Sequence, residues 1–90
     1  MKILIFGGAG FVGRHYTKYF LKKNYRVKIV DNLAPLSGAT HPKKWSIFNP
    51  YKFRKKFEFI RKDCRKYFKG PLKENFDLII NLAAIVGGRE

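Results

Sequence analysis

The segment Lys2–Gly13, with the sequence KILIFGGAGFVG, decides the fold of this chain. Its first five residues form a short apolar run that ends at Gly7-Gly8-Ala9-Gly10, and a run of this length bounded by glycines predicts a buried β-strand. The residues after the glycines, Phe11–Lys23, carry apolar side chains at helical spacing and predict an amphipathic α-helix. The glycines therefore connect a strand directly to the start of a helix.

The predicted helix has an apolar stripe and a basic stripe. We expect its core side to be formed by Val12, Tyr16, Tyr19 and Phe20, and its solvent side by Arg14, Lys18 and Lys22. Asn24 follows the last pair of lysines, at a position where a residue in the left-handed conformation commonly ends a helix. A second strand is predicted over Arg26–Val30, so that strand, helix and strand fit within about 30 residues, as a βαβ unit requires.

The rest of the chain continues the alternation of helices and strands. Phe57–Ile60 predicts a third strand, Cys64–Phe68 a helix that ends at Gly70-Pro71, and Phe76–Ala84 a fourth strand. In the long connection from Asn32 to Pro50, we expect a short helix that begins at Pro42, continues through Trp45 and Phe48, and stops at Asn49-Pro50.

This alternation predicts an α/β fold with a parallel sheet, helices on its faces and right-handed crossovers. Four strands in the order 3-2-1-4 form the N-terminal part of a doubly wound, or Rossmann, sheet. Ninety residues allow one domain, so we assign residues 1–90 to a single nucleotide-binding segment. We expect the sheet to be incomplete, without the portions that follow its fourth strand.

The glycine loop contains two overlapping dinucleotide-binding patterns. Gly8, Gly10 and Gly13 match G-x-G-x-x-G, and Gly7, Gly10 and Gly13 match G-x-x-G-x-x-G. In this strand-to-helix context, glycines permit the tight turn, the approach of the pyrophosphate to the backbone and close packing of the helix, whose N-terminus attracts phosphate. The alternative is a glycine-rich turn that only connects two elements. No Gly-Lys-Ser/Thr follows the glycines, so a triphosphate-hydrolysing P-loop is not expected.

Asp31 ends the second strand, eighteen residues after Gly13. A carboxylate at this place accepts hydrogen bonds from the adenosine ribose and repels a 2′-phosphate, which favours NAD over NADP. The alternative is that Asp31-Asn32 starts a turn, as these residue types often do. The two roles are compatible.

The formal net charge of +14 is unevenly distributed. Between His41 and Lys73 the chain carries twelve Lys or Arg residues, against only Glu58 and Asp63. This region would attract polyanions, so a stand-alone module that binds nucleotides or polyanions through residues 41–73 is the competing hypothesis. The simpler interpretation is a set of solvated lysines that binds nucleic acid only non-specifically.

Several other classes are not indicated. The single cysteine, Cys64, rules out an internal disulfide and fits a reducing compartment. Cys64, His15 and His41 stand at unrelated spacings, so no metal site is predicted. The N-terminal apolar run is too short for a signal peptide or a membrane span. We therefore expect a cytoplasmic protein with no membrane association.

Taken together, these motifs resemble the extended short-chain dehydrogenases/reductases, the family of NAD-dependent nucleotide-sugar epimerases, dehydratases and reductases. The resemblance is to the N-terminal portion of that family and covers essentially the whole chain. The segments that carry it are Gly7–Gly13, Val-Asp-Asn-Leu at 30–33, Asp63-Cys64 after the third strand, and Asn-Leu-Ala-Ala at 81–84. Asn81 departs from the family's pattern, because many relatives carry His there.

The resemblance implies roles for individual residues. Phe11 and Val12 would offer backbone N–H groups to the pyrophosphate, while Asp31 and Asn32 would face the adenosine ribose. Asp63 and the backbone of Cys64 would hold the adenine, although Asp63 is also explained as a surface carboxylate among lysines. Residues 82–84 would line the central part of the cofactor: Leu82, Ala83 and Ala84. Gly87 and Gly88 would let a sugar substrate approach the backbone, or they simply form a loop.

The family's catalytic Ser or Thr and its Tyr-x-x-x-Lys pair lie after the fourth strand. Two Tyr-x-x-x-Lys matches occur here, Tyr19/Lys23 and Tyr51/Lys55, but neither is placed to reach a nicotinamide. We therefore expect no catalytic residue in this chain. The leading hypothesis is the NAD-binding portion of a nucleotide-sugar epimerase, dehydratase or reductase, whose full-length form takes a nucleotide sugar and, as the family tends to do, forms homodimers.

Overall fold

The computed structural model describes residues 1–34, 38–67 and 75–82. Its strands are β1 (Lys2–Phe6), β2 (Arg26–Asp31), β3 (Phe57–Arg61) and β4 (Leu78–Asn81). All neighbouring strands are parallel, and the order is β3-β2-β1-β4. The predicted α/β class, parallel sheet and strand order are confirmed.

β1 lies at the centre of the hydrophobic core. It pairs with β2 from Lys2↔Arg26 onward and with β4 from Ile3↔Leu78 onward. Its residues Ile3–Phe6 have no exposed surface, as expected for a parallel strand that is covered on both faces. Ile3 and Ile5 belong to the larger apolar cluster on one face of the sheet, whereas Leu4 and Phe6 belong to a smaller cluster on the other face.

Helix α1 (Phe11–Lys22) packs on the face of Ile3 and Ile5, and its rotation about its own axis differs from the prediction. Its buried residues are Gly13, Thr17, Phe20 and Leu21. Of the predicted core stripe only Phe20 is buried, whereas Val12, Tyr16 and Tyr19 are 54%, 41% and 56% exposed. The reason is steric. The helix approaches the glycine loop at Gly13, and the residues at helical spacing from Gly13 therefore turn toward the sheet.

Asn24 ends the first crossover as predicted. Its φ is +69°, and its N–H donates to the Leu21 carbonyl oxygen at 2.9 Å. The left-handed conformation at Asn24 allows the chain to turn directly into β2.

The connection between β2 and β3 differs from the prediction. A 3₁₀ turn over Pro42–Lys44 ends before Trp45, and Asn49-Pro50 begins a second 3₁₀ segment, Pro50–Lys56, instead of ending a helix. The Asn49 side-chain oxygen accepts the Tyr51 N–H at 3.0 Å, so that asparagine acts as an N-cap with proline in the first helical position.

Helix α2 (Cys64–Tyr67) lies on the opposite face of the sheet from α1, where Cys64 and Tyr67 pack against Leu4, Phe6 and Val30. The predicted residue Phe68 and the stop at Gly70-Pro71 lie outside the described residues. Within the described parts of the chain, no helix has the length and apolar character needed to cross a membrane.

Candidate functional site

The carboxyl ends of the four strands bring most of the predicted site residues to one edge of the sheet. The glycine loop follows β1, Asp31 ends β2 and is followed by Asn32, Asp63 and Cys64 follow β3, and Leu82 follows β4. In open parallel sheets, ligands bind outside this edge. Four predicted residues lie outside the described part of the chain: Ala83, Ala84, Gly87 and Gly88.

The glycines of the loop have different structural roles. Gly7 has a φ of +74° and makes the turn out of β1. A Cβ at Gly13 would lie 2.3 Å from the Gly8 carbonyl oxygen, so that only glycine fits where the helix meets the loop. A Cβ at Gly10 would meet only the Gly7 oxygen, at 3.8 Å. The surface beside Gly10 is therefore open, as a bound pyrophosphate requires.

The N-terminus of α1 carries no side-chain cap. Its N-cap is Gly10, and no acidic residue lies in the first turn. The first N–H groups of an α-helix have no intrahelical partner, and they form the positive end of the helix dipole. Phe11 and Val12 are 68% and 54% exposed. This end of the helix has the electrostatics of a phosphate-binding site.

The conformation of the loop is fixed at Ala9, which is fully buried. Its N–H donates to the Asp31 carboxylate at 3.0 Å. Its carbonyl oxygen accepts the Thr40 N–H at 3.1 Å and the Arg14 Nε–H at 3.2 Å. The loop is thus held before any ligand binds, so that less conformational entropy remains to be lost on binding.

Asp31 combines two structural roles at the end of β2. One carboxylate oxygen accepts from Ala9, and the other accepts the Leu33 N–H at 2.8 Å. The side chain is only 6% exposed. The turn that was the alternative interpretation is therefore present, and Leu33 adopts a φ of +57° within it. Each oxygen has a second lone pair besides the one that accepts these backbone N–H groups.

Asn32 is exposed, and its side-chain oxygen accepts the Ala34 N–H at 3.2 Å. It lies directly after Asp31 at the same edge of the sheet, and its bond closes a local turn.

Arg14 has a structural role in the site, although the helical pattern predicted that it lies on the solvent side of α1. Besides its bond to Ala9, its Nη2 donates to the Gly38 carbonyl oxygen at 2.8 Å and to the Thr40 hydroxyl at 3.0 Å. The guanidinium therefore joins the glycine loop to the loop that follows β2. Nothing in the sequence pattern distinguishes this arginine from its solvated neighbours, because its partners are mainly backbone carbonyls.

Cys64 and Asp63 lie beside the carboxyl ends of β1 and β2. The Cys64 thiol donates to the Val30 carbonyl oxygen, with the sulfur 3.6 Å from it. Burial raises the pKa of this thiol, so it is held as a neutral donor. The Asp63 carbonyl oxygen accepts the N–H groups of Lys66 and Tyr67 at the start of α2. The described residues contain no group of three or more His, Cys, Asp or Glu side chains that could hold a metal ion.

Leu82 extends the pairing of β4 with β1, because its N–H donates to the Phe6 carbonyl oxygen at 2.8 Å. The two tyrosines of the Tyr-x-x-x-Lys matches lie elsewhere. Tyr19 is near the C-terminal end of α1, and Tyr51 packs against Phe57 at the start of β3, with ring centroids 5.2 Å apart. Both are therefore at the amino edge of the sheet, away from the candidate site.

The cations of the basic region are largely solvated where the structure describes them. Most of these side chains are exposed: Lys43, Lys44, Lys52, Arg54, Lys55, Arg61, Lys62 and Lys66. Lys69 and Lys73 lie outside the described residues. The described cations are spread over the two 3₁₀ segments, β3 and α2, which agrees with solvated surface charge.

Comparison with known proteins agrees with this geometry. The model of the GDP-mannose 4,6 dehydratase family matches residues 4–87. A probable UDP-arabinose 4-epimerase of rice (Oryza sativa subsp. japonica) is 34% identical over 84 residues, which are 92% of this chain and 20% of that protein. An uncharacterised UDP-glucose epimerase of Bacillus subtilis (strain 168) is 35% identical over 91 residues, or 99% of this chain and 28% of that protein.

Among solved structures, a crystal structure of UDP-glucose 4-epimerase matches with a TM-score of 0.60 and 25% identity, covering 92% of this chain and 22% of that one. The chain thus spans between a fifth and somewhat more than a quarter of the length of these relatives. These matches do not support the polyanion-binding alternative. The family match over residues 4–87, together with the glycine loop and the strand order, shows that this chain belongs to the NAD-dependent epimerase/dehydratase family of extended short-chain dehydrogenases/reductases and corresponds to its N-terminal portion.

Proposed function

We propose that this chain binds NAD along the carboxyl edge of its sheet and serves as the cofactor-binding portion of a nucleotide-sugar epimerase, dehydratase or reductase. The observation that carries this proposal is the braced glycine loop. Asp31 and Arg14 fix Ala9 from two sides, which positions an uncapped helix N-terminus beside the open surface at Gly10.

Different residues of the site would contact different parts of the cofactor. The N–H groups of Phe11 and Val12 would bind the pyrophosphate, as a helix N-terminus can. Asp31 and Asn32 would receive the adenosine ribose, and Asp63 with the Cys64 backbone would hold the adenine. Bound NAD would supply the capacity to accept a hydride from a sugar carbon.

The negative charge of Asp31 supports a preference for NAD. Its carboxylate lies at the end of β2 and is held in place by two backbone N–H groups, so it cannot easily turn away from a ligand. A ribose 2′-phosphate placed there would meet a fixed like charge. The 2′-hydroxyl of NAD would instead donate a hydrogen bond to it.

The proposed site also includes residues from Leu82 onward. Leu82, Ala83 and Ala84 would line the central part of the cofactor, and Gly87 and Gly88 would border the sugar. The substrate would be a nucleotide sugar, in keeping with the names of the UDP-sugar epimerases that this chain resembles. Homodimer formation and a cytoplasmic location remain predictions.

The test is calorimetric titration of residues 1–90 with NAD and with NADP, together with the variant Gly10→Ala. A methyl group at Gly10 meets no atom closer than 3.8 Å, and the backbone there has a φ of −76°, so the fold should lose only about 0.5–1 kcal/mol, the usual cost of a poorer N-cap. The same methyl would occupy the surface that the pyrophosphate needs. We expect NAD to bind at least tenfold more weakly to this variant than to the wild type.

Urea unfolding of Gly10→Ala is the control for an indirect loss of binding. The proposal would be refuted if NAD bound equally well to both proteins, or if neither nucleotide bound the folded chain. Equal affinities for NAD and NADP would overturn the assignment of Asp31 to the ribose.

A further inference from the structure

A small cavity at the amino edge of the sheet is lined mainly by cations. Its volume is about 100 Å³, and it lies at the opposite edge of the sheet from the glycine loop and Asp31. It is therefore separate from the proposed cofactor site. We define this amino-edge cavity by the charged residues that line it: Lys2, Arg26, Lys28, Lys55, Lys56 and Glu58.

Strands β1, β2 and β3 bring four of these side chains to one face of the sheet. Lys2 pairs with Arg26, and Lys28 pairs with Leu4 and with Glu58. Paired residues of parallel strands point to the same face, and so do residues two positions apart along one strand. The four side chains therefore lie on the face of the sheet that carries Leu4 and α2.

Lys28 gives the cavity a cation of fixed position. It is only 8% exposed. Its ammonium nitrogen lies 5.7 Å from the centre of the Tyr67 ring and 3.8 Å from a carboxylate oxygen of Glu58. Because water is largely excluded around this ammonium group, its field in the cavity is screened less than that of a solvated lysine.

The chain before β3 takes a strained course that brings two more lysines to the cavity. Arg54 has a φ of +50° and a ψ of −115°, a combination that L-residues rarely adopt. Such conformations of non-glycine residues are concentrated at ligand-binding and switch positions. Lys55 and Lys56 follow directly, and both line the cavity. The Lys56 ammonium also donates to the side-chain oxygen of Asn24, which holds it at this edge.

The continuation of a doubly wound sheet would not fill this cavity. Such a sheet continues beyond its fourth strand, whereas the cavity lies at β2, β3 and the first residue of β1. In the order β3-β2-β1-β4, β2 and β3 are separated from that continuation by β1 and β4. The opening of the cavity is thus a property of the part of the fold that the structure describes.

The balance of charge selects the chemistry of the occupant. Five cations and one carboxylate, that of Glu58, line the cavity. A second carboxylate, that of Asp77, accepts the Lys2 backbone N–H at 2.7 Å. Five positive charges against two negative ones leave an excess of three, which favours a dianion over chloride or a single carboxylate. The Arg26 guanidinium can donate two parallel hydrogen bonds to a tetrahedral oxyanion, to which lysines add point charges.

We propose that the amino-edge cavity binds a phosphate dianion, either inorganic phosphate or the phosphate group of an ester. Arg26 and Lys55 are exposed and would contact the anion from the solvent side, while Lys28 would attract it from the buried side. The site takes one small anion and includes residues of β1 and β2, so it differs from a polyanion-binding surface over residues 41–73. This inference goes beyond cofactor binding and does not depend on it.

The experiment follows the backbone amide signals of residues 1–90 by NMR during a titration with inorganic phosphate. Sodium chloride keeps the ionic strength constant, and the pH is above neutral so that phosphate is mainly a dianion. The amides of residues 26–28 and 55–58 report on the cavity. The amides of Phe11 and Val12 report separately on the N-terminus of α1, which also attracts phosphate. A parallel titration with phenyl phosphate distinguishes an ester from the free ion.

Three variants locate the site. The double substitution Arg26→Gln and Lys55→Gln removes two exposed cations of the cavity. Lys43→Gln with Lys44→Gln is the matched control, because it removes the same charge from exposed residues of the first 3₁₀ turn. Glu58→Gln is the converse change, since it removes the carboxylate that lines the cavity. Circular dichroism of each variant shows whether the fold is retained.

We expect saturable shifts at the cavity amides, with equal dissociation constants for the wild type and the control variant. The cavity variant should bind phosphate about tenfold more weakly, because it lacks two charge-assisted donors. Glu58→Gln should bind it several-fold more tightly, because a like charge is removed from beside the anion. Tighter binding of phenyl phosphate would assign the cavity to an ester, and tighter binding of inorganic phosphate would assign it to the free ion.

Several outcomes would overturn the proposal. Shifts that do not saturate, or that sodium chloride alone reproduces, would show only the screening of surface charge. Saturation confined to Phe11 and Val12 would place the phosphate at the cofactor site. An equal loss of affinity in the cavity and control variants would show attraction by net charge alone. Unchanged affinity in either the cavity variant or Glu58→Gln would show that the phosphate binds elsewhere.

Discussion

Replacing Asp31 by Ala tests the idea that a single buried carboxylate holds the candidate site together. The variant lacks both carboxylate oxygens of Asp31, so the N–H groups of Ala9 and Leu33 lose their hydrogen-bond acceptors. Ala9 is fully buried, so water cannot simply replace the carboxylate there. We expect the glycine loop to move and the whole chain to lose stability.

The magnitude follows from these two hydrogen bonds. A bond to a charged group contributes about 1.5–3 kcal/mol, and the bond to Leu33 is only partly buried, so it belongs at the lower end. The two bonds together predict a loss of about 3 kcal/mol in the free energy of unfolding. Small domains have a total stability of about 5–15 kcal/mol, so the variant should be close to unfolding. Asn32→Ala is the matched control, since it removes one exposed bond to Ala34 and should cost about 0.5 kcal/mol.

The assay is urea unfolding followed by the fluorescence of Trp45, the single tryptophan of the chain. Its indole N–H donates to the Thr40 carbonyl oxygen at 2.9 Å, and the Thr40 N–H donates to Ala9, so the probe reports on the loop itself. Equal destabilisation by Asp31→Ala and Asn32→Ala would refute the argument that Asp31 braces the loop.

Three further predictions concern the residues around this loop. Gly13→Ala places a methyl group 2.3 Å from a backbone oxygen. Because this overpacking should outweigh the better helix propensity of Ala, we expect the free energy of unfolding to fall by about 2 kcal/mol. An unchanged midpoint of urea unfolding would contradict this prediction. Arg14→Lys replaces a guanidinium that reaches three acceptors by a single ammonium group. We expect the local opening free energy at residues 38–40 to fall by about 1.4 kcal/mol, so that amide hydrogen exchange there becomes about tenfold faster. Burial, followed by the charge of Lys43 and other cations, lowers the pKa of His41. The unfolded chain therefore binds that proton more readily, so the contribution of His41 to stability is present above the ordinary pKa of 6.5 and is lost as pH falls through the lower folded value. Thermal midpoints from pH 7.5 to 5 should show this loss, and His41→Asn should diminish it while retaining an N-cap.

The fold was predictable because its signals are local. β1 is an unbroken apolar run that ends at glycine, and Asn24 adopts the left-handed conformation that its residue type tolerates. The requirement for glycine at position 13 was also visible in the motif. The atoms that impose it are backbone atoms of Gly8 in the same loop, because a Cβ at position 13 would lie 2.3 Å from the Gly8 carbonyl oxygen.

The rotation of α1 and the role of Arg14 were not predictable from the sequence. Periodicity finds an apolar stripe but not the partner of that stripe, and in α1 the strongest stripe is the exposed one. Contact with the glycine loop decided the orientation. Arg14 binds atoms whose positions depend on the course of residues 38–40, and a composition or spacing rule contains no information about that course.

The position of β4 has a consequence for the order in which the chain folds during synthesis. Lys2 and Asp77 are joined by a hydrogen bond across 75 positions, whereas β1 and β2 pair at a separation of 24, as at Lys2↔Arg26. The longer closure costs about 1 kcal/mol more entropy, so β1, α1 and β2 should assemble first. At about 5–20 residues per second, the ribosome needs several seconds to extend the chain by the 47 positions from Asp31 to Leu78. During that interval one edge of β1 has no partner from its own chain, and a newly made chain is then most exposed to pairing with its neighbours on a polysome.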